Sequence, residues 1–142
     1  MTGLAVEARD RTATRPMLEV DLLAVARNTR LLADRAGELM AVVKADGFGH
    51  GALDVARTAL AHGATRLGVT SLEEAWPLRD AGLVAPVLSW LNPVDADFAT
   101  AVARRIDLAV PSTRHLAAIA ARLEPSPGLH DDPAESGHAH VG

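Results

Sequence analysis

The sequence contains no cysteine and no tyrosine, and only one of its fourteen basic residues is a lysine. Without thiols, disulfide bonds, thiolate nucleophiles and cysteine-ligated metal sites are excluded. Aromatic residues make up 3% of the chain and are not interleaved with any basic cluster, so a nucleic-acid partner has neither an electrostatic footprint nor a stacking platform. No apolar run approaches the roughly 18 to 20 residues that cross a bilayer, which argues against a membrane protein. The net charge of −4 does not describe the body of the chain. Residues 1–123 hold fourteen basic and fourteen acidic side chains, and Glu124, Asp131, Asp132 and Glu135 supply the whole deficit.

What is present fits one soluble domain: 142 residues, 49% apolar and 23% charged, enough to bury about 70% of the unfolded chain's surface. The first sixteen residues, MTGLAVEARDRTATRP, mix three arginines with Glu7 and Asp10 and lack the apolar centre of a signal peptide. They read as the flexible leader of a cytoplasmic protein. After Leu123 the composition changes to EPSPGLHDDPAESGHAHVG, in which three prolines, three glycines and three histidines leave little to bury. Residues 124–142 are therefore expected to be a disordered acidic tail. His130, Asp131, Asp132, His138 and His140 are metal-ligating residue types, but they lack a rigid scaffold and a recognised spacing, so no metal is expected there.

Between these ends, apolar runs of strand and helix period alternate. Strands are expected at Met17 to Val20, Leu39 to Val43, Arg66 to Val69, Val87 to Leu91 and Ile106 to Val110. Helices are expected at Leu22 to Arg35 after Asp21, Ala52 to His62, Ser71 to Ala81, Asp95 to Arg104, and Thr113 to Leu123 after Ser112. From Leu39 onward the strands recur every 20 to 27 residues or so, the spacing of βα units whose right-handed crossovers build a parallel sheet. Ser71 and Glu74 have capping-box spacing, which puts Pro77 inside the helix and predicts a kink there.

The stretch AVVKADGFGHG, Ala41 to Gly51, is the chemical centre of the sequence. Gly47-Phe-Gly-His-Gly-Ala52 matches the dinucleotide fingerprint G-x-G-x-x-G/A between a strand and a helix. The acidic residue expected at the end of the next strand is absent, because Thr70 and Ser71 stand there; Glu73 and Glu74 follow in the first turn of a helix. Lys44 carries the alternative. A chain that uses arginine for every other positive charge gains from lysine what arginine lacks, a deprotonatable amine able to form an imine. At the carboxyl end of a strand of a parallel α/β fold, that amine stands where such folds place their sites.

MAVVKADGFGHG, followed by a helix and by ATRLGVTSLEEAWPLRDAGLVAPVLSWL, resembles the amino-terminal part of the bacterial alanine racemases. The resemblance runs from about Leu18 to about Leu123 and includes EVDL and a helix with Asn28. Single-domain pyridoxal-phosphate homeostasis proteins share the wider fold type but lack the glycine-histidine-glycine continuation. The resemblance implies a partial (β/α)8 TIM-type barrel, pyridoxal 5′-phosphate as cofactor and alanine as substrate. It makes Lys44 the residue that holds the cofactor as an aldimine and then acts as base on one face of the α-carbon. Phe48 falls where the family commonly has a tyrosine that helps hold the cofactor phosphate, and this chain lacks that hydroxyl. His50 follows as either a structural or a cofactor-shell residue; His62, His115 and Trp76 read as surface or packing residues, and Trp90 as packing or part of a pocket wall.

In the family the acid on the opposite face is a tyrosine supplied by the partner subunit of a homodimer, and no tyrosine exists here. A full barrel takes about 250 residues, whereas within the expected barrel portion, residues 17–123, only residues 39–123 supply βα units, four of them. The expectation is therefore the front half of a racemase barrel, with the break after Leu123 pointing to a truncated or frameshifted product. EVDL, which in the family joins a carboxyl-terminal β-domain, is left without a partner. A non-catalytic pyridoxal-phosphate-binding protein and a nucleotide-binding α/β domain remain the alternatives.

Overall fold

The computed structural model describes residues 18–123; the expected leader, the expected tail with its histidines, and Met17 lie outside the described residues. Helix α1 (Leu22–Ala36) starts where the Asp21 carboxylate accepts the Ala24 N–H at 3.0 Å, satisfying one of the orphan donors of a helix end. Four βα units follow. They run β1 (Met40–Val42), α2 (Lys44–Gly49), α3 (Ala52–Ala61), β2 (Arg66–Val69), α4 (Leu72–Asp80), β3 (Val87–Ser89), α5 (Phe98–Ala103), β4 (Ile106–Leu108) and α6 (Thr113–Leu123).

All strand pairs are parallel and the order is β1-β2-β3-β4, with Val42, Gly68, Leu88 and Asp107 in one row. Each strand is added on the same side of the last, which is how a (β/α)8 barrel winds. A dinucleotide-binding sheet instead reverses its order at a switch point. The described residues therefore form part of a barrel, and the doubly wound alternative is not met among them.

The two-residue period of the strands divides the sheet into unlike faces. Val43, Leu67, Val69, Val87 and Ile106 pack with Ala56 of α3, Leu72, Ala75 and Leu78 of α4, and Ala101 of α5 in one buried cluster. The alternate residues face the other way: Val42 is 46% exposed while its neighbour Val43 is 1% exposed. On that second face Gly68 is required by close approach, since a Cβ there would stand 2.7 Å from Trp90 Cζ3 and 2.8 Å from Met40 Sδ. The two large side chains meet over the missing one.

Several boundaries differ from expectation. Leu18 to Val20 form no strand. The strands at 39–43, 87–91 and 106–110 are shorter at their ends, where loop hydrogen bonds replace the ladder. Helix α5 starts at Phe98 because Asp97, not Asp95, caps it, accepting the Thr100 N–H at 3.0 Å. Pro77 lies inside helix α4, as expected, and the helix runs through it as one element. Glu73, whose carbonyl Pro77 leaves without its helical donor, is exposed, while Ala75 and Leu78 keep the helix seated on the core.

At the amino-terminal end of the sheet, Arg79 ties the third and fourth units together. Its Nε donates to Arg104 O at 2.9 Å, Nη1 to Leu83 O at 2.7 Å and Ala85 O at 2.9 Å, and Nη2 to Arg105 O at 2.7 Å. The planar fork matches four carbonyls that belong to no ladder. Arg79→Ala is expected to lower unfolding free energy in urea by about 2–4 kcal/mol, and Arg79→Lys to recover less than half, because one ammonium cannot reach all four acceptors.

Acid sensitivity follows from the helix caps. The Ala24 N–H on Asp21 and the Thr100 groups on Asp97 hold both carboxyls below the usual carboxylate range. A depressed folded-state pKa stabilises the fold above the unfolded value and loses that contribution as pH falls through the folded one. The urea midpoint should therefore be level from pH 7 to about pH 5 and fall below about pH 4, and Asp97→Asn should flatten part of the fall.

Candidate active site

Strand β1 ends in an unusual turn. Val43 is buried and donates its N–H to Gly68 O at 2.9 Å, and its ψ of 17° turns the chain out of the sheet. After Lys44 come Ala45 (φ 53°, ψ 47°), Asp46 (φ 52°, ψ 44°), Gly47 (φ 60°, ψ 36°) and Phe48 (φ 61°, ψ 34°), four consecutive left-handed residues. Successive left-handed residues cost about 1–2 kcal/mol each for most L-amino acids, so Ala45 and Phe48 store about 2–4 kcal/mol, with aspartate at 46 better tolerated. Such strain persists only where the surroundings over-determine it, and it concentrates at functional sites.

The surroundings here are specific. Gly47 N–H donates to Val43 O at 2.9 Å and Gly51 N–H to Asp46 O at 2.9 Å. Asp46 Oδ1 accepts the Ala52 N–H at 2.8 Å, which also serves the amino end of α3. Gly47 lies against that helix start: a Cβ would be 3.3 Å from Val55 Cγ2 and 3.4 Å from Ala52 N and Cα. At the other end of the turn, the Ala45 N–H donates to Glu74 Oε1 at 2.7 Å.

The sequence-predicted residues occupy this turn unequally. Lys44 is half-buried, with Nζ 4.5 Å from the centroid of the Phe48 ring, within cation–π range. Phe48 is 71% exposed apart from that contact. His50 ends the turn, exposed, and its imidazole has no hydrogen bond to Lys44 among the described residues. Trp90 stands over Gly68 on the uncovered sheet face. His62 bonds Thr58 O through Nδ1 at 2.7 Å, and His115 lies between Ser112 Oγ and Asn92 O, both away from the turn. The cavity beside the turn, about 240 Å³, is walled by Val43, Asp46, Ala52, Leu53, Glu74, Pro77 and Leu78, so it does not include Lys44.

The donor chemistry fits an aldehyde cofactor at its covalent end: one primary side-chain amine, half-buried, at the carboxyl end of a strand in a parallel fold. It offers no side-chain hydroxyl at Phe48 for a phosphate. Two residues of the site, Glu74 and Asp46, escaped the sequence reading. Asp46 had a usable signal, since aspartate is one of the few residues that tolerates the left-handed region. Glu74 had a misleading one: its capping-box spacing to Ser71 predicts a helix-local role, yet Ser71 makes no side-chain cap bond. The Ser71 hydroxyl instead holds the neighbouring Glu73 carboxyl below its usual range, helped by the Glu73 backbone N–H.

Gly47→Ala should cost about 1–2 kcal/mol of stability in urea titration, more than an exposed glycine substitution, because the left-handed φ and the Val55 contact act together.

The residues 20–130 match the family described as "Alanine racemase, N-terminal domain". Alanine racemase of Mycolicibacterium smegmatis is 53% identical over 104 residues, covering 72% of this chain and 27% of that protein. Alanine racemase of Mycobacterium ulcerans is 57% identical over 99 residues, covering 68% and 26%. The crystal structure of alanine racemase from Corynebacterium glutamicum superposes with a TM-score of 0.69 at 48% identity, covering 71% of this chain and 30% of that one. The chain thus spans about a quarter of the length of the curated relatives it matches. Over that quarter, the left-handed turn after Lys44 sits in a fold and sequence that place this chain in the alanine racemase family, within its N-terminal domain.

Proposed function

We propose that this chain provides the lysine-bearing part of a pyridoxal-phosphate-dependent amino-acid racemase acting on alanine, with Lys44 as the cofactor's covalent anchor and as base on one face of the substrate's α-carbon. The observation that carries the proposal is the strained turn. A chain with a single lysine spends several kcal/mol of backbone strain immediately after it. When bound, pyridoxal phosphate supplies an electron sink that makes the α-proton of an amino acid removable by an ordinary base. Lys44 Nζ, as a free amine, is the side chain that would hold the cofactor covalently through its aldehyde carbon. The same nitrogen, when not engaged with the cofactor, would be the base that takes the α-proton on its face of the substrate.

Phe48 keeps its ring against Nζ and donates nothing to a phosphate. His50 is the remaining motif side chain near the cofactor, in a shell role. An acid is needed on the opposite face, and the chain has no tyrosine to be that acid. An identical partner subunit would lack tyrosine as well, so in this reading the acid is a different residue type or comes from a different polypeptide. A second reading, a non-catalytic pyridoxal-phosphate carrier, is favoured by that absence together with the missing hydroxyl at position 48.

Because lysine is unique, one experiment addresses the anchor directly. Incubation with pyridoxal phosphate, borohydride reduction and peptide mass spectrometry should give one labelled side chain, Lys44; label confined to the α-amino terminus would exclude it. Racemisation of L-alanine by a labelled-competent sample, followed by chiral chromatography, then separates enzyme from carrier. Phe48→Tyr should tighten cofactor binding about tenfold in the same titration, the value of one charge-assisted hydrogen bond to a phosphate.

A further inference from the structure

Glu74 does something its place in a helix does not explain. A capping-box glutamate reaches back to the N–H of its own N-cap residue, here Ser71. The Glu74 carboxylate passes over Ser71 and takes two other backbone donors, Ala45 N–H on Oε1 at 2.7 Å and Thr70 N–H on Oε2 at 2.8 Å. Both bonds are short and charge-assisted, and Glu74 is half-buried. Thr70 is the first residue beyond β2, and Ala45 stands three residues beyond the end of β1. The last paired row of these strands is Val42 with Gly68, after which Val43 N–H still reaches Gly68 O. The carboxylate is the clasp between the two strand ends past the point where the ladder stops.

One of those two donors belongs to the peptide that joins Lys44 to Ala45. Its orientation sets how the chain leaves Lys44 and enters four left-handed residues, and Asp46 fastens the far end of the same turn to α3. We propose that Glu74 is the positioning residue for Lys44: its carboxylate, twenty-nine residues away in sequence, fixes the Lys44–Ala45 peptide and with it the direction of the amine. Glu74 touches no reacting atom. The proposal rests on the reading of Lys44 as the cofactor's anchor and adds which residue of a neighbouring helix makes that anchor point one way.

The unique lysine makes this testable in the full chain. Glu74→Gln retains one acceptor oxygen and turns an NH2 group toward the second N–H, so one of the two bonds is replaced by a repulsive contact. Two quantities are measured at fixed pH. One is the apparent Kd for pyridoxal phosphate trapped at Lys44 by borohydride. The other, independent of the cofactor, is the acetic anhydride labelling rate of Lys44 relative to the α-amino terminus. In Glu74→Gln the Kd should rise about tenfold and the relative labelling rate should change at least threefold, while far-ultraviolet circular dichroism stays that of the parent. Arg79→Lys, which loosens the opposite end of the sheet, should lower the urea midpoint yet leave both quantities at Lys44 within a factor of two. If Glu74→Gln does not fold, Glu74→Asp, one methylene shorter, takes its place with the same expectation. A folded Glu74 variant with unchanged Kd and unchanged relative labelling overturns the positioning role. If the parent protein takes no pyridoxal phosphate at Lys44 while the acetylation ratio still responds to Glu74, the positioning stands and the anchor reading falls.

Discussion

The structure depends on the burial of one face of four short parallel strands. Each contributes one or two side chains to that face, Val43, Leu67, Val69, Val87 and Ile106, and helices α3, α4 and α5 close over them with small residues such as Ala56, Ala75 and Ala101. Alanines at the contacts let helix axes approach the sheet closely, and the leucines of α4, Leu72 and Leu78, fill what remains. Once the helices are fixed on that side, every crossover has the same hand and the strands can only be added in order. The carboxyl ends of the strands then collect at one end of the sheet, and Lys44 is among them. The site is a consequence of how the core is filled.

The two ends of the sheet are held by different devices. At the amino-terminal end Arg79 supplies donors to four carbonyls, a stabilising fork with no chemical task. At the carboxyl end the donors are backbone N–H groups and the acceptors are carboxylates, Glu74 on Ala45 and Thr70, and Asp46 on Ala52. Carboxylates there hold a run of left-handed residues, whereas the loops secured by Arg79 contain a single left-handed non-glycine, Arg105 (φ 55°). Conservation of barrel architecture places chemistry at the carboxyl ends and stability at the amino ends, and the unequal distribution of strain in this chain follows that division.

Much of this was legible. The period of two in Leu39 to Val43 and Arg66 to Val69, set against the helical period between them, predicts the parallel alternation that the sheet has. Asp21 and Ser112 mark helix starts because a side-chain oxygen beside an unpaired N–H is a local matter. Local rules failed where two local signals competed. The helix expected from Asp95 starts only at Phe98, where Asp97 caps it. Val87 to Leu91 and Ile106 to Val110 extend in apolar character past the residues that pair, because apolar pattern reports burial and pairing needs a neighbouring strand.

The sequence by itself determined the chemistry available and the faces of the elements: one side-chain amine in the whole chain, no hydroxyl at position 48, and side chains whose alternation sorts core from open face. These are properties of residue type and of periods of two and 3.6, which neighbours along the chain are enough to set. Tertiary structure alone decided how the amine is presented. Glycines at 47, 49 and 51 permit a left-handed turn without requiring one, and local bonds from Gly47 to Val43, from Gly51 to Asp46 and from Ala52 to Asp46 fasten only part of it. The hold comes from Glu74, far along the chain and adjacent only once β2 has paired with β1 and α4 has settled on both. A hydrogen bond between distant residues has no signature in either local sequence, so the geometry of Lys44 waited on the fold.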